Sequence, residues 1–74
     1  MKTAYDPETE RSYTFSKKQA NLIELVANGL TNKEIAEELE ITVVSVRNRI
    51  SHIMQKIDVS NRVQIAKFYY LNMR

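Results

Sequence analysis

The stretch from Thr42 to Ile57 constrains this chain more than any other. Val46, Ile50, Ile53, Met54 and Ile57 recur at i, i+4, i+7, i+8 and i+11, one stripe of a 3.6-residue helix. The other side carries Val44, Arg47, Asn48, Ser51, His52 and Gln55: a guanidinium, an amide, a hydroxyl and an imidazole, with no carboxylate. Thr42 stands where its hydroxyl can accept an orphan amide of the first turn. Arg and Asn are the side chains whose paired donors and acceptors match guanine and adenine edges in the major groove. The same pattern also suits an amphipathic core helix with a solvated outer face, and only the neighbouring segments weigh one against the other.

Seventy-four residues allow one domain. A chain this short buries only about 60% of its unfolded surface. With no Cys and one His, neither disulfides nor a structural zinc site can support it. Helix packing, and dimerisation beside it, must supply the stability. A single Gly and a single Pro leave little turn punctuation for a sheet protein, so the expected fold class is all-α. No apolar run approaches the ~20 residues that span a bilayer, and no apolar h-region follows the start, which excludes a signal peptide. A cytoplasmic, nucleoid-associated bacterial or phage protein fits these features. Charge is uneven: residues 15–40 hold three Lys and five Glu, net −2, while residues 41–74 hold six Lys or Arg and one Asp, net +5. One basic end facing a polyanion is the implication.

Taken in order, residues 1–14 are polar, mixed in charge and contain the only Pro. They are expected to form a flexible N-terminal tail, with Tyr5 and Tyr13 able to pack locally. Residues 15–74 form the folded domain. Ser16 and Gln19 make a capping box for a first helix that buries Leu22, Ile23, Leu25 and Val26, and Gly29 stops it. Thr31 and Glu34 make a second box for a short helix with Ile35, Ala36 and Leu39 inward. Its start at Thr31, Asn32 and Lys33 offers free amides and a cation to an anion. Glu40-Ile41-Thr42 then turns directly into the central helix, which is the helix-turn-helix arrangement. Asn61 and Gln64 read as a third capping box, with Ser60 as an alternative cap, for a fourth helix of about residues 62–72. That helix has too many apolar residues for one stripe. Val63, Ala66 and Tyr70 share one face, and Ile65, Phe68 and Tyr69, with Asn72, share the neighbouring one. One face covers the domain and the other covers a partner, for which a second copy in a symmetric dimer is the economical candidate.

Phe15 to Thr42, including the run Asn32-Lys33-Glu34-Ile35-Ala36, resembles the LuxR/GerE-type DNA-binding domain. Ser45 to Val59 and Asn61 to Ala66, including Lys56-Ile57-x-Val59-x-x-Arg62, continue the pattern in register. The resemblance spans about residues 15–72. It implies a four-helix helix-turn-helix domain that binds double-stranded DNA, usually as a homodimer through its fourth helix, and therefore an inverted repeat. Carried over by position, it places Arg47, Asn48 and Ser51 against bases, and Ser45, Val44 and the Thr31–Lys33 helix start near phosphates. The outer face of the central helix independently contains Val44, Arg47, Asn48 and Ser51. The expected base-contacting set is thus Val44, Arg47, Asn48 and Ser51. The expected phosphate-contacting set is Thr31, Asn32, Lys33, Ser45 and Arg49, and the expected dimer interface is Ile65, Phe68, Tyr69 and Asn72.

The chain departs from the family pattern in several places. Gln19 and Asn21 replace acidic residues, and Arg49 replaces a His, which makes Val46–Ile50 also similar to region four of sigma factors. Val59–Ala66 favours the LuxR/GerE assignment. Asp58 replaces the Gly before Val59, so a different geometry is expected at that helix stop. Val43 and Val44 replace more polar residues; they suit contact with thymine methyls or with a protein. No receiver or ligand-binding domain fits into 14 residues, so the resemblance is to the family's stand-alone form, the small sporulation regulator of the GerE type.

Two functions follow. One is a sequence-specific transcriptional regulator, with RNA polymerase or another regulator as a further partner. The other is an adaptor or antagonist that pairs with another regulator through helix four. An enzyme is disfavoured: His52 has no partner nucleophile, Glu34, Glu37 and Glu38 form a solvated face, and neither a metal set nor a cofactor motif is present.

Overall fold

Each helix begins where a side chain stands in for the hydrogen bonds its first turn lacks. The computed structural model describes residues 2–74 and contains four helices: α1 (Lys17–Ala27), α2 (Asn32–Leu39), α3 (Val43–Lys56) and α4 (Arg62–Asn72). At α1 the Ser16 hydroxyl accepts from the Gln19 amide (3.1 Å), and Gln19 Oε1 accepts from the Ser16 amide (2.9 Å). At α2 the pair Thr31 and Glu34 does the same, at 3.2 and 2.8 Å. Thr42 caps α3 by accepting from the Ser45 amide at 3.0 Å. The third expected box is not reciprocal. Asn61 caps α4 through the Gln64 amide (3.1 Å), but Gln64 Oε1 reaches one residue further back, to the Ser60 amide (2.7 Å).

Three helix stops share one geometry. Gly29 has φ +85°, its amide donates to Val26 and the Leu30 amide reaches the Leu25 carbonyl. That is the Schellman arrangement, in which a left-handed residue turns two orphan carbonyls into acceptors. Glu40 (φ 57°) and Asp58 (φ 56°) repeat it, with Ile41 donating to Ala36 and Val59 to Met54. The different stop expected at Asp58 is therefore not found: Asp58 adopts the left-handed conformation a Gly would take.

The sequence predicts a flexible tail over residues 1–14. The structure instead has an antiparallel hairpin, β1 (Lys2–Asp6) and β2 (Arg11–Phe15), with Ala4 opposite Tyr13 and Asp6 opposite Arg11. Asp6 Oδ1 accepts from the Glu8 amide (3.0 Å) and starts the turn, and Glu10 closes it at φ 58°. A lone two-stranded hairpin is marginal in water. This one is held because Ala4, Tyr13 and Phe15 all face the helices and are buried. Tyr13 and Phe15 both meet the Phe68 ring edge to face, with centroids 5.5 and 6.0 Å apart. Lys56 at the end of α3 donates to the Thr14 carbonyl (2.6 Å) and lies over the Phe15 ring.

α1 packs chiefly on α4, and α2 on α3; the hairpin lies on α4 and α1. The core joins Leu22, Ile23 and Val26 of α1 to Ile35 and Ala36 of α2, Val46, Ile50 and Ile53 of α3, and Ile65 and Phe68 of α4. Ala36 is small, so α3 can approach α2 closely. No helix among the described residues is long and apolar enough to cross a membrane.

Candidate nucleic-acid interface

Two stripes of α3 run in antiphase. Val46, Ile50, Ile53 and Ile57 are buried, while Val44, Asn48, Ser51 and Gln55, with Arg47 alongside, are exposed. Both sets follow i, i+4, i+7, i+11, and a shift of two residues is about 200° around a helix. Burying the first stripe against α1, α2 and α4 therefore turns the second outward as a polar ridge. All four expected base-facing residues, Val44, Arg47, Asn48 and Ser51, lie on this exposed side.

Four of the five expected phosphate-facing residues lie at the start of α2 or in the first turn of α3. Lys33 is exposed at the start of α2. The Thr31 hydroxyl takes the Glu34 amide, and the Thr31 carbonyl takes the Ile35 amide (2.9 Å). The amides of Asn32 and Lys33 precede these at the positive end of the helix dipole. Glu34 sits at the same end. The hydrogen bond from the Thr31 backbone amide, then that with its hydroxyl, holds the Glu34 carboxyl below its ordinary value. It is therefore ionised at neutral pH and offsets part of the dipole, which leaves Lys33 as the cation of this helix start. Ser45 is half-buried and its hydroxyl oxygen accepts from Thr42 Oγ1 (3.1 Å), so its own proton is free to donate outward.

Asn32 departs from its expected part. It is half-buried, and its Oδ1 accepts from the Arg62 guanidinium, whose other nitrogen donates to the Leu30 carbonyl at 2.8 Å. Arg62 thus ties the start of α4 to the start of α2, and Asn32 is a hinge-pin of the fold as much as a surface donor. Arg49 lies two residues, about 200°, from Arg47, so it faces α1 and not the ridge. There it lines a shallow groove with Lys18, Gln19, Leu22, His52 and Ile53. Lys18, which the sequence reading did not single out, belongs to a first turn of α1 that has no acidic residue.

The expected dimer interface is the largest correction. Ile65 (1% exposed) and Phe68 (6%) belong to the core of their own domain. Tyr69 and Asn72 are half-buried. The hairpin explains the reversal at Phe68, whose ring meets Tyr13 and Phe15 inside the domain. The outward face of α4 is instead Val63 (73%), Lys67, Tyr70 and Leu71 (64%). The Tyr70 hydroxyl donates to the Ala27 carbonyl (3.3 Å), and the residue stays about half exposed (47%).

Comparison with known proteins agrees with this architecture. Residues 13–69 match the family described as bacterial regulatory proteins, luxR family. The uncharacterized transcriptional regulatory protein YhcZ of Bacillus subtilis is 37% identical over 75 residues, covering 97% of this chain and 35% of that protein. The transcriptional regulatory protein LiaR of the same organism is 42% identical over 59 residues, covering 80% of this chain and 28% of that protein. The chain thus spans about a third or less of these two relatives. The spore germination protein GerE, also of Bacillus subtilis, is 39% identical over 59 residues, which is 80% of each chain. With its four capped helices, its α2–turn–α3 pair and this match, the chain belongs to the luxR family of bacterial regulatory proteins.

Proposed function

We propose that the chain is a sequence-specific DNA-binding transcriptional regulator. α3 lies in the major groove, where Val44, Arg47, Asn48 and Ser51 read base edges. Thr31, Asn32, Lys33, Ser45 and Arg49 follow the phosphates, with Asn32 offering its amide nitrogen while Arg62 holds its oxygen. Contacts of the second kind position the protein and those of the first kind specify the site. The observation that carries this reading is the exposed Arg47–Asn48–Ser51 ridge in antiphase to a fully buried stripe of the same helix. The net +5 of residues 41–74 supports it.

Two copies pair through α4, which makes the preferred site an inverted repeat. The exposed Val63, Tyr70 and Leu71 support this pairing and replace Ile65 and Phe68 as its contact. The same three residues also favour a second reading, an adaptor that engages another regulator through α4 without specific DNA binding. Retardation of duplex DNA by the protein alone at physiological salt separates the two.

The test of the main reading is Arg47→Ala. Loss of a bidentate base contact should cost about 1–3 kcal/mol on the preferred half-site and far less on unrelated duplex. An equal loss on all sequences would assign Arg47 to the phosphate backbone.

A further inference from the structure

The first turn of α3 carries two adjacent valines that the fold does not use. Val43 is 40% and Val44 56% exposed, while Val46, in the next turn, is completely buried. Internal packing therefore accounts for Val46 but not for its two predecessors. Helix propensity does not account for them either, since β-branched residues are among the weaker helix formers. What remains is a small apolar surface at the leading end of the polar ridge, flanked by the Thr42 and Ser45 hydroxyls.

We propose that Val44, with Val43 beside it, reads the C5 methyl of a thymine. The inference rests on the DNA-binding reading above and adds to it a base preference. In the major groove only thymine presents an apolar group, and that methyl projects toward the backbone of its own strand. On the DNA-binding reading the first turn of α3 contacts base edges, and there the Thr42 and Ser45 hydroxyls flank Val44. A valine between hydroxyls suits a methyl between phosphates and bases. A polar side chain there could hydrogen-bond a phosphate, and valine gives up that option.

The helix also sets the register. Val44 precedes Asn48 by four residues, and Val43 precedes Arg47 by the same interval. Four residues advance about 6 Å along the axis. For a helix lying along the groove that is about two base pairs at ~3.4 Å each. The thymine should therefore lie about two base pairs from the pair read by Asn48.

The experiment uses the whole chain and a duplex selected by it from a random pool. Each thymine of the selected half-site is replaced singly by deoxyuridine, which removes the methyl and nothing else. One thymine, about two base pairs from the position whose preference is relaxed in Asn48→Ala, should lose about three- to fivefold in affinity, the scale of burying one carbon. In Val44→Ala the thymine and deoxyuridine duplexes should bind within twofold of each other. Val44 lies outside the core, so this variant folds, and an unchanged thermal midpoint checks that. Selection of a site with no methyl-sensitive thymine overturns the proposal and leaves the DNA-binding reading standing; the valines would then be a protein contact. Methyl sensitivity that persists in both Val43→Ala and Val44→Ala also overturns it. Failure to select any sequence refutes the parent reading, and this one with it.

Discussion

Arg62→Ala removes the tie between the start of α4 and the start of α2. The guanidinium is half-buried and spans two acceptors that lie 30 and 32 residues away in sequence, Asn32 Oδ1 and the Leu30 carbonyl. A hydrogen bond to a charged group contributes roughly 1.5–3 kcal/mol when buried. The half-exposed setting reduces this, so the two together should be worth about 2–4 kcal/mol. A domain of this length has only about 4–11 kcal/mol in total. The loss should therefore be visible as a fall in thermal midpoint of at least ~8 °C, with an unchanged denaturant m-value in urea titration. Arg62→Lys should recover no more than about half, because one ammonium cannot reproduce the planar fork across both acceptors. A double-mutant cycle with Asn32→Ala should give a coupling of about 1 kcal/mol or more. A loss of less than about 0.5 kcal/mol in Arg62→Ala, the range of a neutral surface substitution, would show that Arg62 does not tie α4 to α2.

Asp58→Gly should stabilise the domain by about 0.5–1 kcal/mol in chemical denaturation. Relief of a left-handed L-residue, ~1–2 kcal/mol, outweighs the extra unfolded-state entropy of Gly, ~0.5–1 kcal/mol; a lower urea midpoint would contradict this. Phe15→Ala should cost about 3–5 kcal/mol and raise amide exchange throughout residues 2–15, since Phe15 anchors the hairpin to Phe68; exchange unchanged in β1 would contradict it. Glu34 has a folded value below its ordinary 4.5, so its contribution is full at neutral pH and fades as pH falls from about there through the lower folded value. The stability gap between the wild type and Glu34→Gln should accordingly be largest near pH 7 and close in acid, and a gap independent of pH would contradict the capping role assigned to its charge.

The helices were legible because their signals are local. Ser16/Gln19, Thr31/Glu34 and Thr42 each act within three residues, and the Val46–Ile57 stripe repeats for three turns. The ridge opposite that stripe followed from the same periodicity, which is why Val44, Arg47, Asn48 and Ser51 are exposed as the sequence predicts. The hairpin was not legible. β1 buries the small Ala4, β2 alternates over just Tyr13 and Phe15, and most of the other residues in both strands are polar. Their stability comes from Phe68, more than 50 residues away. That omission propagated to α4: without the Tyr13 and Phe15 rings against it, Phe68 looks like part of an external interface. Arg62–Asn32 was hidden for a related reason, since a bridge across 30 residues leaves no periodic trace. At Asp58 the replacement of the family's Gly suggested a different stop geometry, but the Asp takes the left-handed conformation itself.

Whether the α3 ridge reads a DNA sequence is decided by selecting duplexes from a random pool with the purified chain and sizing the bound species by light scattering. Enrichment of a short inverted repeat, bound by two copies and lost from the Arg47→Ala and Asn48→Ala selections, is the predicted result. Weak, strongly salt-dependent binding with no enriched sequence would contradict it and turn attention to the protein engaged by Val63, Tyr70 and Leu71.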